Sequence, residues 1–123
     1  MRRFLIGSSF CLALLACGES RDSKPEIDQL VVDKGRDLYL RHGCAVCHGS
    51  NGKGDGPIAR TLNPKPRDFA DMSAYKRGNS VANISQSLYQ GISTEKGSIM
   101  PAYPHLSESD RNALSSYVVS LQP

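Results

Sequence analysis

The chain has 123 residues, the length of one domain, with 39% hydrophobic residues, 22% charged residues and a formal net charge of +3. These values exclude a disordered acidic tail, a collagenous repeat and a polytopic membrane protein. No run of five or more basic residues occurs, so nucleic acid is not an expected partner. Aromatic side chains are three Phe and five Tyr, with no Trp. A chain this short buries a modest share of its surface, which leaves room at its centre for something other than side chains.

Met1-Arg2-Arg3 is a positive n-region, and Phe4 to Ala16 is a nearly uncharged, mainly apolar run. That run falls short of the ~20 residues a membrane-spanning helix needs and reads as the h-region of a signal peptide. It ends Leu14-Leu15-Ala16-Cys17, which resembles the lipobox of bacterial lipoproteins. The resemblance implies a signal peptide over 1–16, cleavage before Cys17, and a lipid on the Cys17 thiol that anchors the chain by more than one acyl group. Gly18 stands where an Asp would resemble an inner-membrane retention signal, so the outer membrane is preferred. The two leader arginines carry most of the basic excess away with them.

Gly18 to Leu30 is polar and contains Pro25. It predicts a flexible linker over 17–30, with an r.m.s. reach of about 20 Å, ahead of a domain over 31–123. Val31, Gly35, Leu38, Tyr39 and His42 then share one face of a short helix. Gly43 ends it and delivers Cys44.

Four cysteines occur, at 11, 17, 44 and 47. Cys11 leaves with the leader and Cys17 goes to lipid, so Cys44 and Cys47 remain for chemistry. With their neighbours they spell Cys44-Ala45-Val46-Cys47-His48, the C-x-x-C-H pattern of covalent c-type haem attachment. Two thiols at this spacing can each add to a vinyl group on one edge of the porphyrin, and the adjacent imidazole then reaches the iron. A zinc site would need four closed ligands, and no second Cys pair exists. A redox C-x-x-C would follow a strand, and no strand pattern precedes Cys44. A structural disulfide would leave His48 unexplained.

Residues 49–68 are rich in Gly and Pro and predict a loop. Val81, Ile84 and Leu88 are spaced as a second helix, started by Asn79 or Ser80 and stopped near Gly91. Residues 93–105 again look like loop. Ser107 and Asp110 form an S-x-x-D start signal, and Leu114, Tyr117, Val118 and Leu121 follow at helical spacing. No internal repeat and no convincing alternating strand is found.

Over residues 31–121 the chain resembles a small class I monohaem cytochrome c. The resemblance rests on Gly35 and Tyr39 ahead of Cys44-Ala45-Val46-Cys47-His48, then Gly52-Lys53-Gly54-Asp55-Gly56-Pro57, Met100-Pro101-Ala102-Tyr103, and the terminal helix. It implies an all-α fold of three or more short helices around one covalent haem c, with the first and last helices in contact at Gly35 and the Tyr117 region. It also implies that the carbonyl of Pro57 accepts from the His48 ring and that Met100 is the second axial ligand. Met72, His42 and His105 are the other candidate ligands; His105 is the competitor to weigh, because two imidazoles would lower the potential. Arg67 and Lys65 are candidate partners of the haem propionates.

The expected function is electron transfer by one haem cycling between Fe(II) and Fe(III), in a monomer tethered in the bacterial periplasm and serving redox partner proteins. No catalytic residue set stands out. The alternatives are a haem subunit of a larger dehydrogenase or oxidase, and a ligand-binding or peroxide-reducing haem protein with an open sixth position.

Overall fold

Asp28 starts the first helix by accepting a hydrogen bond from the Leu30 N–H at 2.9 Å, satisfying one of the donors a helix start leaves open. In this computed structural model, which describes residues 28–95 and 97–123, α1 runs Gln29–Arg41. Gln29 and Leu30, assigned above to the linker on polarity, are its first turn. The expected signal peptide, Cys17 and the expected linker up to residue 27 lie outside the described residues. Val32, Gly35, Leu38 and Tyr39 form the buried face of α1, so Val32 rather than Val31 opens it. His42 is the C-cap.

Gly43, at φ 71°, turns the chain into a second helix, α2, over Cys44–His48, which the sequence reading left without an assignment. The Gly- and Pro-rich stretch that follows is irregular apart from 3-10 turns at Ala59–Thr61 and Met72–Ala74. α3 covers Val81–Gln90, with the Ser80 hydroxyl accepting from Asn83 N–H at 3.2 Å and Gly91 closing it. Residues expected to be loop then form a small antiparallel hairpin, β1 Ile92–Thr94 and β2 Gly97–Met100, with Ile92 opposite Met100. α4, Glu108–Ser120, starts where Ser107 accepts from Asp110 N–H at 3.1 Å, as the start signal predicts.

The core sits where α1 crosses α4 and α3 packs alongside. Leu38, Tyr39, Ile84, Leu88, Ala113, Leu114, Tyr117 and Val118 are all buried in one cluster. Gly35 makes the crossing possible. A Cβ there would overlap the backbone carbonyl of Ala113 and come within 2.8 Å of Tyr117 Cβ. Two serines are also buried on α4, and each returns its hydroxyl proton to its own helix. Ser115 donates to Arg111 O at 2.7 Å and Ser116 to Asn112 O at 2.9 Å, so neither leaves a polar atom unpaired. The fold is the all-α architecture expected, with four helices among the described residues lining one cavity.

Candidate functional site

A five-residue helix cannot satisfy its own C-terminal carbonyls. The loop after α2 does this instead: Gly54 N–H donates to His48 O at 2.9 Å, Gly56 N–H to Cys47 O at 3.1 Å and Ile58 N–H to Val46 O at 3.3 Å. Gly56 must be glycine, since a Cβ would meet the Val46 carbonyl at closer than any contact distance. The glycine-rich segment is thus the clamp that fixes the C-x-x-C-H helix. Tyr39 adds to it from α1, donating its hydroxyl to Gly49 O at 2.6 Å.

The side chains so positioned face a cavity of about 580 Å³, within the ~300–1,000 Å³ typical of cofactor sites. Cys44, Cys47, His48, Met100 and Arg67 all line it, with Tyr39, Phe69, Tyr75, Tyr103 and the apolar faces of α3 and α4. His42, Met72 and His105 do not line it. Met72 is 41% exposed, and His105 is exposed as well.

The His48 ring stacks on Phe69, with centroids 4.7 Å apart and an interplanar angle of 28°. Its Nδ1 lies 3.3 Å from the carbonyl of Arg67. Donation there leaves the Nε2 lone pair free to bind a metal. Burial pushes the His48 pKa down; the Arg67 carbonyl opposes this shift and the Arg67 charge adds to it. The ring is therefore held neutral, the form that binds iron. This corrects the expected acceptor: the His48 partner is Arg67 O, not Pro57 O. Pro57 is exposed, at the turn where Gly56 and Ile58 hydrogen-bond to α2. The second Pro-rich step of the loop carries residue 67 to the imidazole.

The site fits a covalent haem on two independent grounds. Burial pushes the Cys44 thiol up to about 11, an environment that opposes a thiolate but suits an uncharged thioether. Arg67 supplies the second. Its guanidinium lies over the Tyr75 ring at 4.7 Å, and one of its buried terminal nitrogens has no hydrogen-bond partner. Burial also lowers its pKa. A buried guanidinium nitrogen without an acceptor is a place for a carboxylate, and a haem brings two. Lys65 lines the same wall. The role of Arg67 toward His48, through its backbone, was missed because no sequence signal reports a carbonyl contact.

The Met100 loop is pinned from α3, where Leu88 O accepts from Tyr103 N–H at 2.7 Å. Pro101 restricts the backbone beside Met100.

Comparisons with known proteins agree with this geometry. The cytochrome c family profile matches residues 32–122. The chain is 35% identical over 97 residues to the cbb3-type cytochrome c oxidase subunit CcoP of Helicobacter pylori (strain 52), and 29% identical over 97 residues to cytochrome c oxidase subunit 2 of Alkalihalophilus pseudofirmus. These matches take in 76% and 79% of this chain but only 29% and 28% of the relatives. Among solved structures, the reducing HAO-like protein complex of Kuenenia stuttgartiensis aligns with a TM-score of 0.68 at 31% identity, covering 77% of this chain and 45% of that one. The chain belongs to the cytochrome c family, an electron-transfer family whose cofactor is a covalently bound haem c.

Proposed function

We propose that this protein is a single-haem electron carrier of the bacterial cell envelope, with Cys44 and Cys47 holding the haem, His48 and Met100 as the axial ligands, and lipid on Cys17 tethering the domain on the periplasmic side of a membrane. The observation that carries the reading is the lining of one cavity. Among the described residues, Met100 is the one imidazole- or sulfur-bearing side chain lining it besides His48 and the two attachment cysteines.

The haem supplies reversible one-electron chemistry between Fe(II) and Fe(III). The chain's own residues decide how that chemistry is used. His48 is kept neutral and oriented by Arg67 O. Two protein ligands leave no open position for a substrate, so the protein transfers electrons without transforming a second molecule. Arg67, with a buried guanidinium nitrogen that lacks a partner, would hold a propionate and place a positive charge beside it. The apolar walls of α3 and α4 exclude water from the ring.

The test is the optical spectrum of the purified holoprotein with and without carbon monoxide. The carrier reading expects a low-spin iron with the sulfur-to-iron charge-transfer band, colour that stays with the protein in acid-acetone, and slow carbon monoxide binding. A high-spin spectrum with fast carbon monoxide binding would establish the open-site alternative instead. The tether rests on the lipobox. Cys17→Ser is expected to move the protein to the soluble fraction with its spectrum intact, and wild type recovered soluble with Cys17 unmodified by mass would refute it.

A second reading has its own support. The chain corresponds to under a third of the length of oxidase subunits, which is the relation expected if the same haem module also works as a fixed part of a complex. Stoichiometric co-purification with one partner under mild detergent would favour that assembly over a free carrier.

A further inference from the structure

The chain has three histidines. His48 belongs to the haem cavity. The other two, read from sequence as competing axial ligands, do not line it, yet they come together elsewhere. His42, the C-cap of α1, and His105, on the loop between Met100 and α4, have ring centroids 5.8 Å apart at 50°. Tyr103 closes the triangle at 6.5 Å from His42 and 5.9 Å from His105. His42 is half-buried and His105 is exposed, so one imidazole packs partly into the fold and the other is reachable from solvent.

That separation can be compared with what one ion requires. A metal–nitrogen bond of ~2.0–2.1 Å places each ring centroid about 3.2 Å from the ion, so two imidazoles on one ion have centroids at most about 6.4 Å apart, and about 5.2 Å apart in tetrahedral geometry. The observed 5.8 Å lies between these values.

We infer that His42 and His105 form a binding site for one divalent transition-metal ion of the imidazole-preferring class, Zn²⁺, Ni²⁺ or Cu²⁺. Among the described residues no group of three or more His, Cys, Asp or Glu gathers to hold a metal, so the protein supplies two ligands and water fills the remaining positions. Neutral imidazoles favour these ions over Ca²⁺ and Mg²⁺, which require oxygen. The bound ion would join the C-terminal end of α1 to the segment carrying Met100, two elements otherwise separated by more than fifty residues of chain. It would therefore stabilise the loop that supplies the second axial ligand, by mass action on the folded state. This inference does not depend on what Met100 does.

The experiment is calorimetric titration of Zn²⁺ into the purified holoprotein, in which both remaining cysteines are thioethers and His48 is enclosed. The expected result is one saturable site per chain that survives millimolar Mg²⁺ and Ca²⁺, with a melting temperature that rises with Zn²⁺. His42→Asn and His105→Asn should each weaken binding at least tenfold while keeping the wild-type visible spectrum. If His42→Asn does not fold, Ni²⁺ in the wild type should selectively broaden the ring proton resonances of His42 and His105. The site is overturned if Zn²⁺ shows no saturable binding, if either variant binds as tightly as wild type, or if Ni²⁺ broadens resonances elsewhere.

Discussion

His48 and Met100 are held by different means, and the difference sets what their substitution should do. His48 is fixed by stacking on Phe69 and by Arg67 O, whereas Met100 sits at the end of a short hairpin strand. A thioether is a soft neutral ligand that favours Fe(II) relative to imidazole. Met100→Ala is therefore expected to lower the midpoint potential and open the iron to fast carbon monoxide binding. Met72→Ala and His105→Ala should keep the wild-type spectrum, since neither side chain lines the cavity. A wild-type spectrum in Met100→Ala with a high-spin iron in His105→Ala would reverse the ligand assignment. Arg67 permits a cleaner separation, because it meets His48 through its backbone and, on the proposed reading, would meet a propionate through its cavity-lining side chain. Arg67→Gln keeps the carbonyl and removes the cation. The low-spin spectrum should persist while potentiometry shows a lower potential, since a positive charge near the iron disfavours Fe(III). Cys44, Cys47 and His48 were legible as a motif because their chemistry needs a fixed spacing. The Arg67 carbonyl was not, because any residue provides one and only the path of the loop selects it.

At the scale of elements, the helices that announce themselves in sequence do so through caps and faces. Ser80, Ser107 and Gly91 stand at the ends of α3 and α4 where the start and stop signals put them. Asp28 caps α1 in the same way, but Pro25 and the surrounding charges made that stretch read as linker. α2 has five residues and no buried one, so it carries no hydrophobic period to detect; the loop bonds from Gly54, Gly56 and Ile58 stabilise it from outside. The hairpin strands have three and four residues, too few for alternation to show. The α1–α4 crossing at Gly35 and Tyr117 was expected from the family resemblance rather than from spacing, and it is the element contact most sensitive to change. In Gly35→Ala the new methyl meets backbone at Ala113 rather than a movable side-chain tip, so the helices must part. The expected loss is at least ~1–3 kcal/mol, read as a lower guanidinium midpoint with little change in slope. Lys34→Ala serves as the comparison. Its 2.7 Å ion pair with Asp110 spans the same two helices, but Lys34 is about half exposed, and an exposed pair contributes ~0–1 kcal/mol. Equal losses in the two variants would mean that the close approach at Gly35 does not govern the packing.

At the scale of the whole domain, the described residues form a shell of four helices and a clamped loop around a cavity of about 580 Å³. Its low aromatic content, visible in composition, becomes intelligible once the ring that fills this space is counted as part of the core. Tyr39, Ile84, Leu88, Leu114 and Val118 all pack in the core cluster and also line the cavity. They therefore bury one side against protein and leave the other to the cofactor. Unfilled cavities cost about 24 cal/mol per Å³, which over this volume reaches ~14 kcal/mol as an upper bound, because an open space can hydrate or collapse. That bound is comparable with the entire ~5–15 kcal/mol stability of a typical domain. Cys44→Ala with Cys47→Ala is accordingly expected to yield a chain without fixed tertiary packing, with helical far-ultraviolet signal but no near-ultraviolet dichroism and collapsed amide dispersion. Cys44→Ala alone retains one attachment point and should keep the native spectrum with a lowered melting temperature. If the double variant, free of haem, still melts cooperatively with native amide dispersion, the helices hold one another without the ring. In that case the cavity is a binding pocket within an independent fold rather than the centre around which the fold forms.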